Sequence, residues 1–248
     1  MVMLNFVRLL AFTPFHPTAI MGRMRESPRR QDTSGAPPAL DESRHNLIAI
    51  REHRAVYEFA RTLSTIFNPF LCATALFVIV SHVYSASTLR FWELSFASLL
   101  FYAIAPVLSV FYLYLSGRIS DFDMSDRLER SRAFLVFVLI DLVAALVLTL
   151  AHAAVQLLAI AWGLFTATVA IMVITRWWKI STHAFGVTGP FAVMYLLFGL
   201  APLPYAIIVP LVWWARVYLR AHTLAQVLAG AVLGVASTIV VFRLFHLI

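Results

Sequence analysis

The chain has 248 residues, 61% of them hydrophobic and 12% charged, with a mean hydropathy of +0.85. Soluble domains carry about twice that share of charge, so the composition excludes an ordinary globular protein and indicates an integral, multi-pass membrane protein. The formal net charge of +7 rests on arginine, since Lys179 is the sole lysine; these basic residues lie in short loops between apolar runs, which suits anionic lipid or phosphorylated ligands and argues against nucleic acid as a partner.

Residues 1–20 are apolar but broken by Arg8, Pro14, His16 and Pro17, and they fit neither a signal peptide nor a full span. The stretch 21–45 is rich in charge, Pro, Ser and Gly with little to bury, so 1–45 reads as a flexible basic tail. Over 46–61, Leu47, Ile50, Val56 and Phe59 alternate with Arg51, Glu52, Arg54 and Glu58, a mixture that predicts an amphipathic helix at the membrane surface. The remainder, 62–248, is predicted to be a transmembrane domain. Apolar runs at about 62–83, 94–115, 133–151, 154–175, 186–200, 203–215 and 221–247 predict an all-α polytopic bundle of six to seven spans. Cys72, inside the first run and the only cysteine, has no internal disulfide partner.

Crossing parity organises the loops. The runs at 133–151 and 154–175 form one hairpin, and those at 186–200 and 203–215 form another around Ala201-Pro-Leu-Pro-Tyr205. The loops 116–132, 176–183 and 216–222 are therefore predicted to emerge on one side, where their polar residues can meet. The basic tail lies on that side too, and the positive-inside rule places it in the cytoplasm.

Two histidines, several arginines and a lysine at headgroup level suit phosphoryl transfer on a lipid phosphate. Guanidinium groups offer parallel donors to phosphate oxygens, and an imidazole serves as nucleophile or as proton donor near neutral pH. This chemistry requires no metal and no cofactor. The carboxylates Asp121, Asp123 and Asp126 are read as capping or pairing groups, and Asp141, in mid-span, as a functional candidate or a partner for a neighbouring span. Trp177, Trp178, Trp213 and Trp214 read as interfacial belt residues.

The three loops resemble the three signature motifs of the type 2 phosphatidic acid phosphatase superfamily, over about 116–240. The third motif is matched by Ala215, Arg216, His222 and, where the family has Asp, Gln226. The second, Pro-Ser-Gly-His, stands here as Ile180-Ser181-Thr182-His183. In the first, Arg132 aligns with the motif arginine, while Ser125 replaces its lysine and Ala133 its proline; Arg127 and Arg130 crowd the same stretch. By this resemblance His222 is the nucleophile that becomes a phosphohistidine, and His183 the acid that protonates the leaving alcohol and then activates water. Arg216, Arg132 and Ser181 hold the phosphate, with Arg127, Arg130 and Lys179 as further positive charge. Gln226 takes the place of the aspartate that orients the nucleophile, but brings no negative charge.

The resemblance implies an integral membrane phosphatase of lipid phosphates or prenyl diphosphates. The neutral Gln226 leaves open a phosphotransferase or prenyl-diphosphate enzyme on the same fold, or a degenerate site that only binds lipid headgroups. Gly230 and Gly234 continue the His222 and Gln226 stretch and predict close internal packing against another helix.

Overall fold

A computed structural model describes residues 54–120 and 127–248, with the side chains of Arg127 and Leu128 excepted. The expectations for the tail, for most of the 46–61 helix, and for Asp121, Asp123 and Asp126 lie outside the described residues. Residues 60–248 form one compact unit. Helix accounts for 81% of the structure and no strand forms among the described residues, so the fold class is all-α.

The helices are α1 (Arg54–Ile66), α2 (Pro69–Tyr84), α3 (Thr88–Leu99), a π-helical turn (Leu100–Ile104), α4 (Ala105–Leu115), α5 (Arg127–Leu150), α6 (Val155–Thr175), α7 (Thr182–Phe198), a 3-10 turn (Leu203–Tyr205), α8 (Ile208–Tyr218) and α9 (Leu224–Leu244). Four stretches are long and apolar enough to cross a membrane: Thr88–Leu115, Glu129–Leu150, Val155–Thr175 and Leu224–Leu244. The pair α1 and α2 makes a fifth if counted as one span, while α7 and the stretch Leu203–Tyr218 are shorter apolar helices. Large apolar side chains such as Leu139, Leu146, Val232 and Val240 face outward, as hydrocarbon surroundings require.

Proline sets two of the irregularities. The run expected as one span over 62–83 is bent by 48° between Ile66 and Pro69. Pro69 disfavours helical backbone at the residue before it, and Asn68 accordingly adopts φ −73°, ψ 156° while its side chain accepts from the Leu71 amide. In the second span Pro106 has no N–H to offer, and the backbone slips into the π-helical turn, where the Ala105 amide reaches back five residues to the Leu100 carbonyl. That span also starts six residues earlier than expected. Ser87 caps it, and Arg90 pairs with Glu93 at 2.9 Å, so two charges sit in its first turns without penalty.

The predicted hairpin of α5 and α6 is present, turning at His152 with φ 50°. Across it the Thr168 hydroxyl donates to Asp141 Oδ2 at 2.6 Å, which satisfies this mid-span carboxyl from a neighbouring helix. Helices α7 and α9 form the other central pair. Their contact depends on glycine: a Cβ at Gly234 would lie 2.9 Å from the Gly189 amide nitrogen, and one at Gly230 would lie 2.2 Å from the Ser181 carbonyl oxygen. The backbones therefore touch where the sequence places Gly-x-x-x-Gly, and the first turns of α7 and α9 are held side by side.

Candidate active site

The third cluster is built by the start of α9. Thr223 caps the helix, its Oγ1 accepting from the Gln226 amide at 3.3 Å, and Gln226 Oε1 accepts in return from the Thr223 amide at 3.1 Å. This reciprocal box follows from Thr-x-x-Gln at the head of an apolar run. It starts the helix at Leu224 rather than near 221, so His222 precedes the helix instead of sharing a helical face with Gln226. The two still meet, with His222 Nδ1 3.2 Å from Gln226 Oε1.

That contact selects a tautomer. An atom that accepts from a backbone N–H must be the amide oxygen, so the imidazole nitrogen facing it must be the donor. Nδ1 of His222 carries the proton, and Nε2 keeps its lone pair.

Upstream, α8 ends at Tyr218 and the chain turns through Arg220 at φ 54°. The Arg216 carbonyl gathers the amides of Ala221 and His222, at 3.1 and 3.3 Å, which pins the turn to the end of α8. The turn sets two nearby arginines apart: Arg216, like His222, is buried, whereas Arg220 is exposed.

The second cluster joins the third through the backbone, the Ser181 amide donating to the Gln226 carbonyl at 3.1 Å. Ser181 is fully buried and caps α7, its Oγ accepting from the Ala184 amide at 3.3 Å. Its hydroxyl therefore fixes the helix start that carries His183. The His183 ring lies in the electrostatic reach of Arg216, His222 and Arg130.

From the first cluster the structure selects Arg130. This arginine is buried at 5% exposure, and its Nη2 donates to the Ile180 carbonyl at 2.8 Å, bridging the first cluster to the second. Arg132, the residue in register with the family motif, is exposed. Both lie in the first turns of α5, where two positions are separated by about 200° around the axis, so turning Arg130 inward turns Arg132 out. Of the two, it is Arg130 and not the expected Arg132 that the structure buries against the second cluster. The Arg127 side chain lies outside the description. Trp177 and Trp178, beside half-buried Lys179, are exposed as a membrane-interface belt requires.

Ser64, a residue that no motif suggested, completes the arrangement. Its Oγ accepts from Arg216 Nη1 at 2.8 Å, a contact 152 positions apart in the chain. Nothing in the local pattern of α1 marks it.

Electrostatically the site is buried and positive. Burial, then Arg216, Lys179 and Arg130, push the His222 imidazole down to about 3, against a small opposing pull from Gln226. His222 is therefore neutral at physiological pH, a base with one lone pair in a field that favours anions. Among the described residues no group of three His, Cys, Asp or Glu side chains gathers to hold a metal ion.

The structure thus brings Arg130, Lys179, His183, Arg216, His222 and Gln226 together, with Ser181 supporting them. No protein-family model, curated protein or solved structure matches the chain.

Proposed function

We propose that the protein is an integral membrane phosphatase of lipid phosphates or prenyl diphosphates, built on six to seven spans like the type 2 phosphatidic acid phosphatases, with its site on the cytoplasmic face. The observation that carries this reading is the His222 tautomer: Gln226 Oε1 accepts from the Nδ1–H, and Nε2 is left as a nucleophile beside two buried arginines.

In the first half-reaction Nε2 attacks phosphorus and forms a P–N bond as the P–O bond to the lipid breaks. The departing oxygen takes a proton from His183. In the second, water gives a proton to His183 and attacks phosphorus, the P–N bond breaks, and inorganic phosphate leaves. Arg216 and Arg130 meet the negative charge spread over the equatorial oxygens, with Lys179 adding positive potential. Burial first, then Arg216 and the other nearby cations, lower both imidazoles; a bound phosphate offsets the cationic part and so favours the protonated His183 that donates.

One feature favours a second reading. Gln226 orients His222 but adds no negative charge, so a phosphohistidine formed here is poorly compensated and transfer to an acceptor alcohol competes with hydrolysis. Phosphate release from phosphatidic acid and from prenyl diphosphates tests the proposal. His222→Ala and His183→Ala should each lower release by at least about a hundredfold, and undiminished release in both variants overturns the assignment.

A further inference from the structure

We infer that Ser64 is a positioning residue of the phosphate site, fixing the guanidinium plane of Arg216 from outside the three clusters. The inference rests on the function proposed above. Ser64 is 4% exposed, and its Oγ accepts from Arg216 Nη1 at 2.8 Å. The same residue's backbone also faces the ring of His183, whose buried Nδ1 makes no hydrogen bond of normal geometry. One residue of α1 thus addresses a phosphate-holding arginine and the acid that serves the leaving group.

Its place is held firmly. Four residues on, Asn68 donates to the Thr65 carbonyl at 2.9 Å and accepts from the Leu71 amide at 2.9 Å, clamping both sides of the bend. Pro69 then packs so tightly on α7 that a Cβ at Gly186 would lie 2.6 Å from the proline Cβ. The chain around Ser64 is therefore fixed to the helix that carries His183.

The chemistry explains the choice of serine. A flexible arginine loses rotamer freedom when it grips a phosphate, and a partner that fixes it beforehand removes part of that cost. A carboxylate in this place would neutralise the guanidinium, whereas a hydroxyl accepts one N–H and carries no charge.

The test uses the full chain in lipid nanodiscs. Phosphate release from phosphatidic acid gives kcat and KM, and inorganic orthovanadate gives an affinity for a phosphate-like anion without turnover. Ser64→Ala should lower kcat at least about tenfold and vanadate affinity at least about fivefold, with the thermal midpoint nearly unchanged; Ser64→Thr, which keeps the hydroxyl, should restore both to within about threefold. Ser64→Cys, similar in size with a weak acceptor, should behave like Ser64→Ala and serves if that variant does not fold. In an Arg216→Lys background, Ser64→Ala should add little.

Wild-type kcat and vanadate affinity in Ser64→Ala or Ser64→Cys overturn the inference and leave the phosphatase reading standing. A wild-type protein that binds vanadate but releases no phosphate removes the phosphatase reading, and Ser64 is then judged by vanadate affinity. A wild-type protein that binds no vanadate removes both.

Discussion

The bundle treats positive charge differently at the two ends of α5. At its start Arg130 is buried and donates to the Ile180 carbonyl, while Arg216 beside it, also buried, donates to the Ser64 hydroxyl. Some 20 residues along, about 30 Å at helical rise, Arg90 sits at the other end, partly exposed, paired with Glu93 and donating to the Ala151 carbonyl. The far pair is a surface ion pair that caps a hairpin turn, an arrangement worth about 1 kcal/mol or less. The near arginines are buried and donate to a backbone carbonyl and a hydroxyl, and after burial itself they and Lys179 depress the His222 imidazole. Burying cations in this way costs stability, and such expense is typical of sites that receive an anion.

The sharpest way to break this comparison is to exchange the ends. Arg216→Ala should reduce phosphate release by about a hundredfold to a thousandfold while the fold persists. Arg90→Ala should leave kcat within about twofold and act only on the thermal midpoint. Equal losses of activity would erase the distinction. A smaller contrast lies within α5 itself. Arg130→Ala should cost at least about tenfold in kcat/KM, whereas Arg132→Ala, which removes an exposed side chain, should stay within about twofold.

A further effect is on stability. His222 falls from its usual 6.5 to about 3 in the folded chain, so the unfolded chain binds more protons over that interval. Stability is therefore level above about pH 6.5 and declines as pH falls towards 3, by at most about 1.4 kcal/mol per unit from this group. Thermal midpoints in detergent from about pH 7.5 to about 4.5 should fall in the wild type and fall less in His222→Gln. An equal decline in both would show that His222 is not the group responsible.

Much of the site could be read from the residues because its decisive spacings are local. Arg216, His222 and Gln226 lie within eleven positions, and Thr223-x-x-Gln226 announces a helix start, although the helix had been expected to include His222. Convergence of the loops followed from the hairpins, and the α5–α6 turn at His152 lies where expected. The choice between Arg130 and Arg132 was not legible, because motif register counts residues while burial depends on where helix α5 faces the bundle. Ser64 was invisible for another reason. A contact across 152 positions exists only after α1, α7 and α8 have packed. The 48° bend was available in Asn68-Pro69, but continuous hydropathy concealed it.

Gln226 Oε1 serves two donors, the Thr223 amide that begins α9 and the His222 ring. When the first turn of α9 frays, both bonds are released by the same motion, and the imidazole becomes free to exchange its proton between nitrogens. The proportion of molecules holding Nε2 ready is thereby tied to the local melting of one helical turn. On the proposed mechanism, warming should silence the nucleophile before the bundle itself comes apart, so loss of activity should precede loss of fold.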